Sequence, residues 1–366
     1  MRLVLAFGCV LVLSACRCSS SSPASRVDVG DGGASAGTDA SVDGATSTSD
    51  ASAPLQVTVH ALFDLPRMKT THSLSATAFD PGTRTLFALP DKDAMIVPLV
   101  GNADFTSFTV GTPLPLTGRT DTAWDGEGLV RIDSGYVVVT VETEPRVERF
   151  DGTGMRTGVV TLPPHFAMQA PGNKGMESLT LSPSGRFLFT ANEAALTIDG
   201  PAPTKTRGTA IRILKRDLTT GTDIELAYRT EPLGAGGASG DMGVSELAAL
   251  DDDMLLVLER GFQADYGNTV RIFRVDLRTG AHVEATPALN DATPVLTKTL
   301  VVDIGTLPPG NATHPGPQPN PILDNYEALA LGPTLPDGRR LLFVTSDDNA
   351  SATQVPRVLV LAIRGL

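Results

Sequence analysis

Three observations predict an all-β chain folded as a β-propeller: strand pairs recur in tandem, successive pairs start about fifty residues apart, and the composition favours turns. The chain has 366 residues, 36 of them Gly and 27 Pro, and only 19% are charged, a balance that suits short strands joined by many turns. Six blades are expected, with five or seven as the alternatives. An α/β-hydrolase is rejected, because no long helical period separates the strands and no Gly-x-Ser-x-Gly elbow occurs. A formal charge of −12 argues against nucleic-acid binding, which needs a basic stripe facing phosphates.

Met1-Arg2 precedes an apolar run from Leu3 to Leu13 and then Ser14-Ala15-Cys16. A short positive start, an apolar stretch too short to span a bilayer and small residues before a cleavage point make residues 1–15 a secretory signal peptide. Leu13-Ser14-Ala15-Cys16 resembles the lipobox of bacterial lipoproteins, which implies lipidation of Cys16 and a chain anchored on a membrane of the cell envelope. All three cysteines (Cys9, Cys16, Cys18) lie in this leader, so the body has no disulfide, thiol nucleophile or cysteine metal site. Residues 16–53 form the next segment. From Ser19 onward it lacks aromatic residues, Ile, Leu and Met, and is expected to be a disordered tether.

Residues 54–366 form the propeller domain, and there one pattern recurs: an acid beside small residues, an apolar strand, a Gly/Asp turn, a second apolar strand and another acid. The first unit, Leu74-Ser75-Ala76 to Leu89-Pro90-Asp91, is degenerate, with Ser75 where the others have Glu. The second runs from Gly126-Glu127-Gly128 to Val141-Glu142, and the third from Met176-Glu177-Ser178 to Asn192-Glu193. The fourth runs from Ser245-Glu246-Leu247 to Leu258-Glu259, and the last from Tyr326-Glu327-Ala328 to Asp347-Asp348. Third strands follow, such as Arg146–Asp151, Ala210–Asp217 and Val270–Asp276, the last two leading into matching Asp-Leu-x-Thr-Gly turns. Gaps of 69 and 81 residues between the later Glu anchors leave room for a weaker blade or long insertions. The alternating strand Gln56–Ala61 is expected to pair with Val358–Leu361, closing the ring and removing an open edge.

In a propeller the innermost strand of each blade lines a central channel, so Glu127, Glu177, Glu246 and Glu327 are expected to converge at one end of it. Like charges that close require compensation. Either a cation lies among them, with Ca²⁺ the ion best suited to hard oxygen ligands, or backbone N–H groups and Arg or Lys neutralise them singly. The plainer alternative is that each Glu clamps the adjacent blade. The acids ending the second strands (Glu142, Glu193, Glu259 and Asp347, with Asp91 in the first unit) are candidate catalytic groups at the channel mouth, together with Arg260. Asn192, Asp348 and Asn349 are neighbours there, and Lys174, Arg260 and Asn349 are candidate substrate contacts. Lys92, Arg146 and Arg207 are further basic candidates. The five histidines show no metal-ligand spacing, His165 is expected in a loop, and Trp124 is expected to pack between blades.

Asp125-Gly126-Glu127-Gly128-Leu129, Gly175-Met176-Glu177-Ser178-Leu179 and Asn325-Tyr326-Glu327-Ala328-Leu329 resemble the phytase-like domain described by esterase-like activity of phytase, as does Leu335 to Asn349. That resemblance, from about Ser73 to the C-terminus, implies a secreted propeller with esterase or phosphoesterase activity on a small anionic or ester substrate. Its distant likeness to calcium-dependent propeller phytases points the same way as the acids. A monomer is expected. The rival reading is a surface propeller that binds a ligand or protein without turnover, its acidic ring structural.

Overall fold

The structure is a computed structural model that describes residues 55–120, 124–133, 135–140 and 145–366. Cys16, the leader, the linker and Glu142 lie outside the described residues. Strand β1 (Gln56–Asp64) comes first but belongs to the last blade. The first blade is β2 (Leu74–Asp80), β3 (Thr85–Pro90), β4 (Met95–Gly101) and β5 (Phe108–Val110), with the short β6 (Leu114–Pro115) also on β4. The second is β7 (Gly126–Ile132), β8 (Gly135–Thr140), β9 (Arg146–Asp151) and β10 (Arg156–Val160). Beyond it His165 lies in a short helix, α1 (Pro164–Met168), not in a loop. The third blade is β11 (Thr180–Leu181), β12 (Phe187–Ala191), β13 (Ala210–Asp217) and β14 (Asp223–Arg229). The fourth is β15 (Gly243–Ala249), β16 (Met254–Gln263), β17 (Gly267–Asp276) and β18 (Lys298–Asp303). The fifth is β19 (Tyr326–Thr334), β20 (Arg340–Ser346) and β21 (Arg357–Arg364), completed by β1.

Alternation along the strands explains why blades stack. On β16, Leu255 and Val257 pack with Phe189 and Ile211 of the third blade, while Leu256 and Leu258 pack with Leu342 and Leu359 of the fifth. A strand with both faces apolar is therefore buried between two neighbours. Five such clusters lie one between each adjacent pair of blades. The inner strands β2, β7, β11, β15 and β19 also touch in sequence, and β19 touches β2. The ring is thus closed with five blades, not the six favoured by the sequence.

The missing blade is accounted for by insertions. Residues 192–209 separate β12 from β13, residues 277–297 separate β17 from β18, and residues 304–325 lead into β19. Pro201 and Pro203, Pro287 and Pro294, and the run from Pro308 to Pro321 keep these segments out of any ladder, since proline lacks the donor a central strand needs. Closure follows the alternation of residues 56–61: β1 lies antiparallel to β21, from Gln56 opposite Arg364 to Asp64 opposite Arg357.

Candidate active site

Each inner strand begins with a one-residue slip against its partner. The slips fall between Leu74 and Ala76, Gly126 and Gly128, Val244 and Glu246, and Tyr326 and Ala328. In the third blade the bridge Met176–Asn192 and the pair Thr180–Phe189 differ by the same one residue. A bulge re-aims the extra side chain. Ser75, Glu127, Glu177 and Glu327 occupy that position, and all four line one cavity of about 480 Å³. The far ends of the inner strands, at Ala78, Val130, Ala248 and Ala330, line a separate opening at which no carboxylate gathers.

Glu246 does not line this cavity. In the fourth blade the bulged residue is Ser245, and Glu246 takes the place of Ala76, Gly128, Ser178 and Ala328. Its side chain is 1% exposed, and its Oε1 accepts from the backbone N–H of Leu179 at 3.0 Å and of Leu247 at 2.9 Å. The four-glutamate ring is therefore three glutamates, with Glu246 fastening the fourth blade to the third. The register was legible: Leu247 matches Leu129, Leu179 and Leu329, and two residues before each come Ser245, Glu127, Glu177 and Glu327.

This placement carries a stability prediction. Burial pushes the Glu246 carboxyl well above the usual range, only partly offset by the two N–H groups. A raised folded-state pKa contributes stability that is complete below the unfolded Glu pKa and is lost as pH rises through the folded value. Glu246→Gln keeps an acceptor and removes that loss, so its melting temperature exceeds wild type at pH 8 and converges with it in acid. Glu246→Ala orphans two buried N–H groups and costs about 1–3 kcal/mol. Thermal melts across pH check both; a Gln variant that melts lower than wild type at pH 8 contradicts this account.

The second set of acids shows the same register effect. Asp91, Glu193 and Asp347 follow the residues paired with Leu74, Met176 and Tyr326, and all three line the cavity. At the matching place the fourth blade carries Arg260, because Glu259 is the residue paired with Val244. Glu259 lies away from the cavity, fully buried. It accepts from the Tyr228 hydroxyl, from Lys298 Nζ at 2.7 Å and from the Glu231 N–H at 2.8 Å.

Arg260 is the electrostatic centre. Its Nη2 lies 3.0 Å from Glu327 Oε1 and 3.3 Å from Glu193 Oε1. Burial works against its charge, but the carboxylates of Glu327, Glu193, Asp241 and Glu177 outweigh burial and hold the guanidinium protonated. Its Nε–H is buried with no internal partner. Lys174 Nζ lies 3.1 Å from Glu193 and 3.2 Å from Asp241, and Lys92 Nζ lies 2.6 Å from Asp91 and 2.9 Å from Asp125. Seven carboxyl groups line the cavity (Asp91, Glu127, Glu177, Glu193, Asp241, Glu327, Asp347) against three cations (Lys92, Lys174, Arg260), a surplus of four acidic groups.

Glu327 and Asp347 are hydrogen-bonded to each other, and both titrate high. Burial raises Glu327 first, opposed by Arg260 and reinforced by Glu193, while Asn325 Nδ2 donates to its Oε1 at 2.9 Å. Burial also raises Asp347, and the Glu327 and Asp91 carboxylates add to it. Two buried carboxyls in this contact share a proton, because both cannot ionise side by side.

Of the remaining candidates, Asn349 lines the cavity, and its backbone N–H donates to Asp347 Oδ1 at 2.5 Å. Asn192 is buried beside β13, accepting from the Arg212 N–H at 2.9 Å, and Asp348 holds His72 at 2.8 Å. Arg207 pairs with Asp291 at 2.7 Å, and Arg146 borders a different pocket. His165 reaches Glu225 at 3.1 Å. Trp124 donates to the Pro90 carbonyl at 3.1 Å and packs against the core between the first and second blades. Sequence reasoning missed Asp241, Asn268 and Asn325, which come from the starts of β15, β17 and β19 or just before them and carry no repeat.

A calcium site at the four glutamates does not fit: Glu246 is outside the cavity and Glu327 is already bonded to Arg260 and Asn325. Among the described residues no group of three acidic, histidine or cysteine side chains is arranged to hold an ion. One edge has suitable donors. Asp91 is 6% exposed, its Oδ1 has no partner, and Asp347 interacts with it electrostatically. Those two carboxylates supply only part of the oxygen set that a calcium ion takes, and Lys92 Nζ already lies 2.6 Å from Asp91.

The family model described as "Phytase-like: Esterase-like activity of phytase" matches residues 69–350. Among solved structures, a luciferin-regenerating enzyme is similar at 14% identity, covering 86% of this chain and 96% of that one, with a TM-score of 0.38. The PQQ-bound aldose sugar dehydrogenase of Streptomyces coelicolor is similar at 12% identity, covering 85% and 98%, with a TM-score of 0.41.

Proposed function

The chain belongs to the phytase-like family, and from that premise we propose that it hydrolyses esters in the acidic cavity by general acid–base catalysis. The observation that carries the proposal is the hydrogen-bonded Glu327–Asp347 pair, buried, with both pKa values raised, beside a permanently charged arginine. The ionised member takes a proton from water as the water oxygen bonds to the carbonyl carbon or phosphorus. The protonated member gives its proton to the leaving alkoxide as that bond breaks, so one ester and one water become one acid and one alcohol. The Arg260 guanidinium, held protonated in the cavity wall, supplies positive charge beside the oxygen on which negative charge develops. No serine or cysteine nucleophile is required.

Were a divalent cation to assist, Asp91 and Asp347 are the carboxylates that would help hold it, and it would supply positive charge to an ester oxygen. The surplus of four acidic groups disfavours a polyanionic substrate and favours a neutral or singly charged ester. The test is hydrolysis of carboxylic and phosphoric monoesters by the purified chain, with added calcium and with chelator. Turnover that rises with calcium and collapses with chelator supports cation assistance, whereas turnover indifferent to both removes the cation and leaves the acid pair. Absence of turnover on every ester overturns the hydrolase reading.

The rival reading, a binding propeller with a structural acidic ring, draws on Arg260 tying Glu193 to Glu327. Variants of the acid pair separate the two.

A further inference from the structure

We infer that the substrate is a carboxylic ester bearing an apolar acyl group, and that a pocket beside Lys174 holds that group. This rests on the hydrolase reading and names its substrate class. The pocket has a volume of about 300 Å³ and is walled by Pro171, Ala194, Ala195, Ala202, Pro203 and Met242. Its lining shares Lys174, Glu193 and Asp241 with the acidic cavity, so the ion pairs of Lys174 form the partition between the two volumes. Its floor reaches the site backbone: a Cβ at Gly243 would stand 2.6 Å from the Glu193 carbonyl oxygen, so only glycine leaves room for this approach.

The two chambers divide a substrate by chemistry. The charged cavity holds the acid pair and Arg260, where the carbonyl reacts, and Phe262 is the one large apolar side chain in its lining. The side pocket offers mainly Ala, Pro and Met, which gain from burying hydrocarbon and lose from burying phosphate. A phosphate-rich substrate meets the wrong charge in the first chamber, and in the second only Thr197, Thr209 and a lysine already paired with Glu193 and Asp241. An ester with its carbonyl at the Glu327–Asp347 pair and its acyl chain turned past Lys174 satisfies both. Ala194, Ala195 and Ala202 keep the pocket open because none carries a side chain beyond Cβ.

The experiment compares p-nitrophenyl acetate, butyrate, hexanoate and octanoate on wild type and on Ala202→Trp. Ala202 is exposed at the rim, so the bulky ring blocks the pocket without entering the core. Each methylene that enters the pocket raises kcat/KM about fourfold until the pocket is full. Ala202→Trp abolishes that rise, so that octanoate kcat/KM in the variant falls to within about twofold of acetate kcat/KM in the same variant. A flat chain-length profile in wild type, or equal losses on acetate and octanoate in the variant with unchanged melting temperature, overturns the inference. If no ester is turned over, octanoate is used as a binding probe by thermal shift. Stabilisation that disappears in Ala202→Trp keeps the apolar pocket and rejects the hydrolase reading; no stabilisation rejects both.

Discussion

Glu327→Gln and Asp347→Asn each lower kcat by about 10²–10⁴-fold, the usual worth of a positioned acid or base. An amide can neither take the proton of water nor deliver one to an alkoxide, so each substitution removes one half of the exchange. Wild-type kcat/KM follows a bell-shaped pH profile, because one member must be ionised and the other protonated. Either single variant loses one limb of the bell. Both carboxyls titrate above their unfolded values, so what they contribute to folding is complete in acid and declines as pH rises through the folded values. Neutralising either one leaves the melting temperature at pH 8 level with wild type or above it. Gln at 327 also retains an oxygen for Arg260 and Asn325. Turnover lost with the fold intact supports the enzyme. A large fall in melting temperature with no turnover in the parent supports the structural reading, and unchanged kcat in both variants ends the acid-pair mechanism.

A chain that begins at Leu65 fails to fold cooperatively, the largest stability loss predicted here. Deleting residues 1–64 removes β1, whose ladder along β21 from Gln56 to Asp64 is what closes the ring. It strips Val57, Val59 and Leu62 from the core between the fourth and fifth blades, and Ala61 and Phe63 from the core on the other side. The exposed β21 then presents a bare edge with apolar residues on both faces, a template for aggregation. A graded control is Asp64→Ala. Arg357 is fully buried, its Nε lies 2.6 Å from Asp64 Oδ1, and it donates also to the carbonyls of Pro321 and Thr313. Because Asp64 itself is 41% exposed and two carbonyls remain, losing it costs about 1–3 kcal/mol, well short of losing the strand. Thermal melts and gel filtration check the pair; a truncated chain that melts within a few degrees of the full one contradicts closure by β1.

The site was partly legible in advance, and the reasons are specific. Glu127, Glu177, Glu193, Glu327 and Asp347 stood out because they repeat at matched places beside small residues and at strand ends. Glu246 and Glu259 stood out equally, yet each is one position from the residue that lines the cavity. In a strand a slip of one residue moves a side chain to the opposite face, so an unaligned repeat misplaces its acids while still locating the strands. Arg260 was visible as a charge, but its place among carboxylates was not. Asp241 and Asn268 are separated from Asp91 and Ser75 across the cavity by about 150–190 residues of chain and follow no period.

The alternation of apolar residues, the Gly and Asp turns and the spare strand at residues 56–64 determined by themselves that this chain is an all-β ring closed by its own N-terminal strand. The strand and turn patterns are local, written within ten residues of each other, whereas the closing pair joins residues 56–64 to 357–364. The number of blades, the acids that meet in the cavity, the proton shared by Glu327 and Asp347, and the apolar chamber past Lys174 were decided only by tertiary structure. Each depends on which segments from different blades come to rest side by side, and burial and charge coupling arise only once they do.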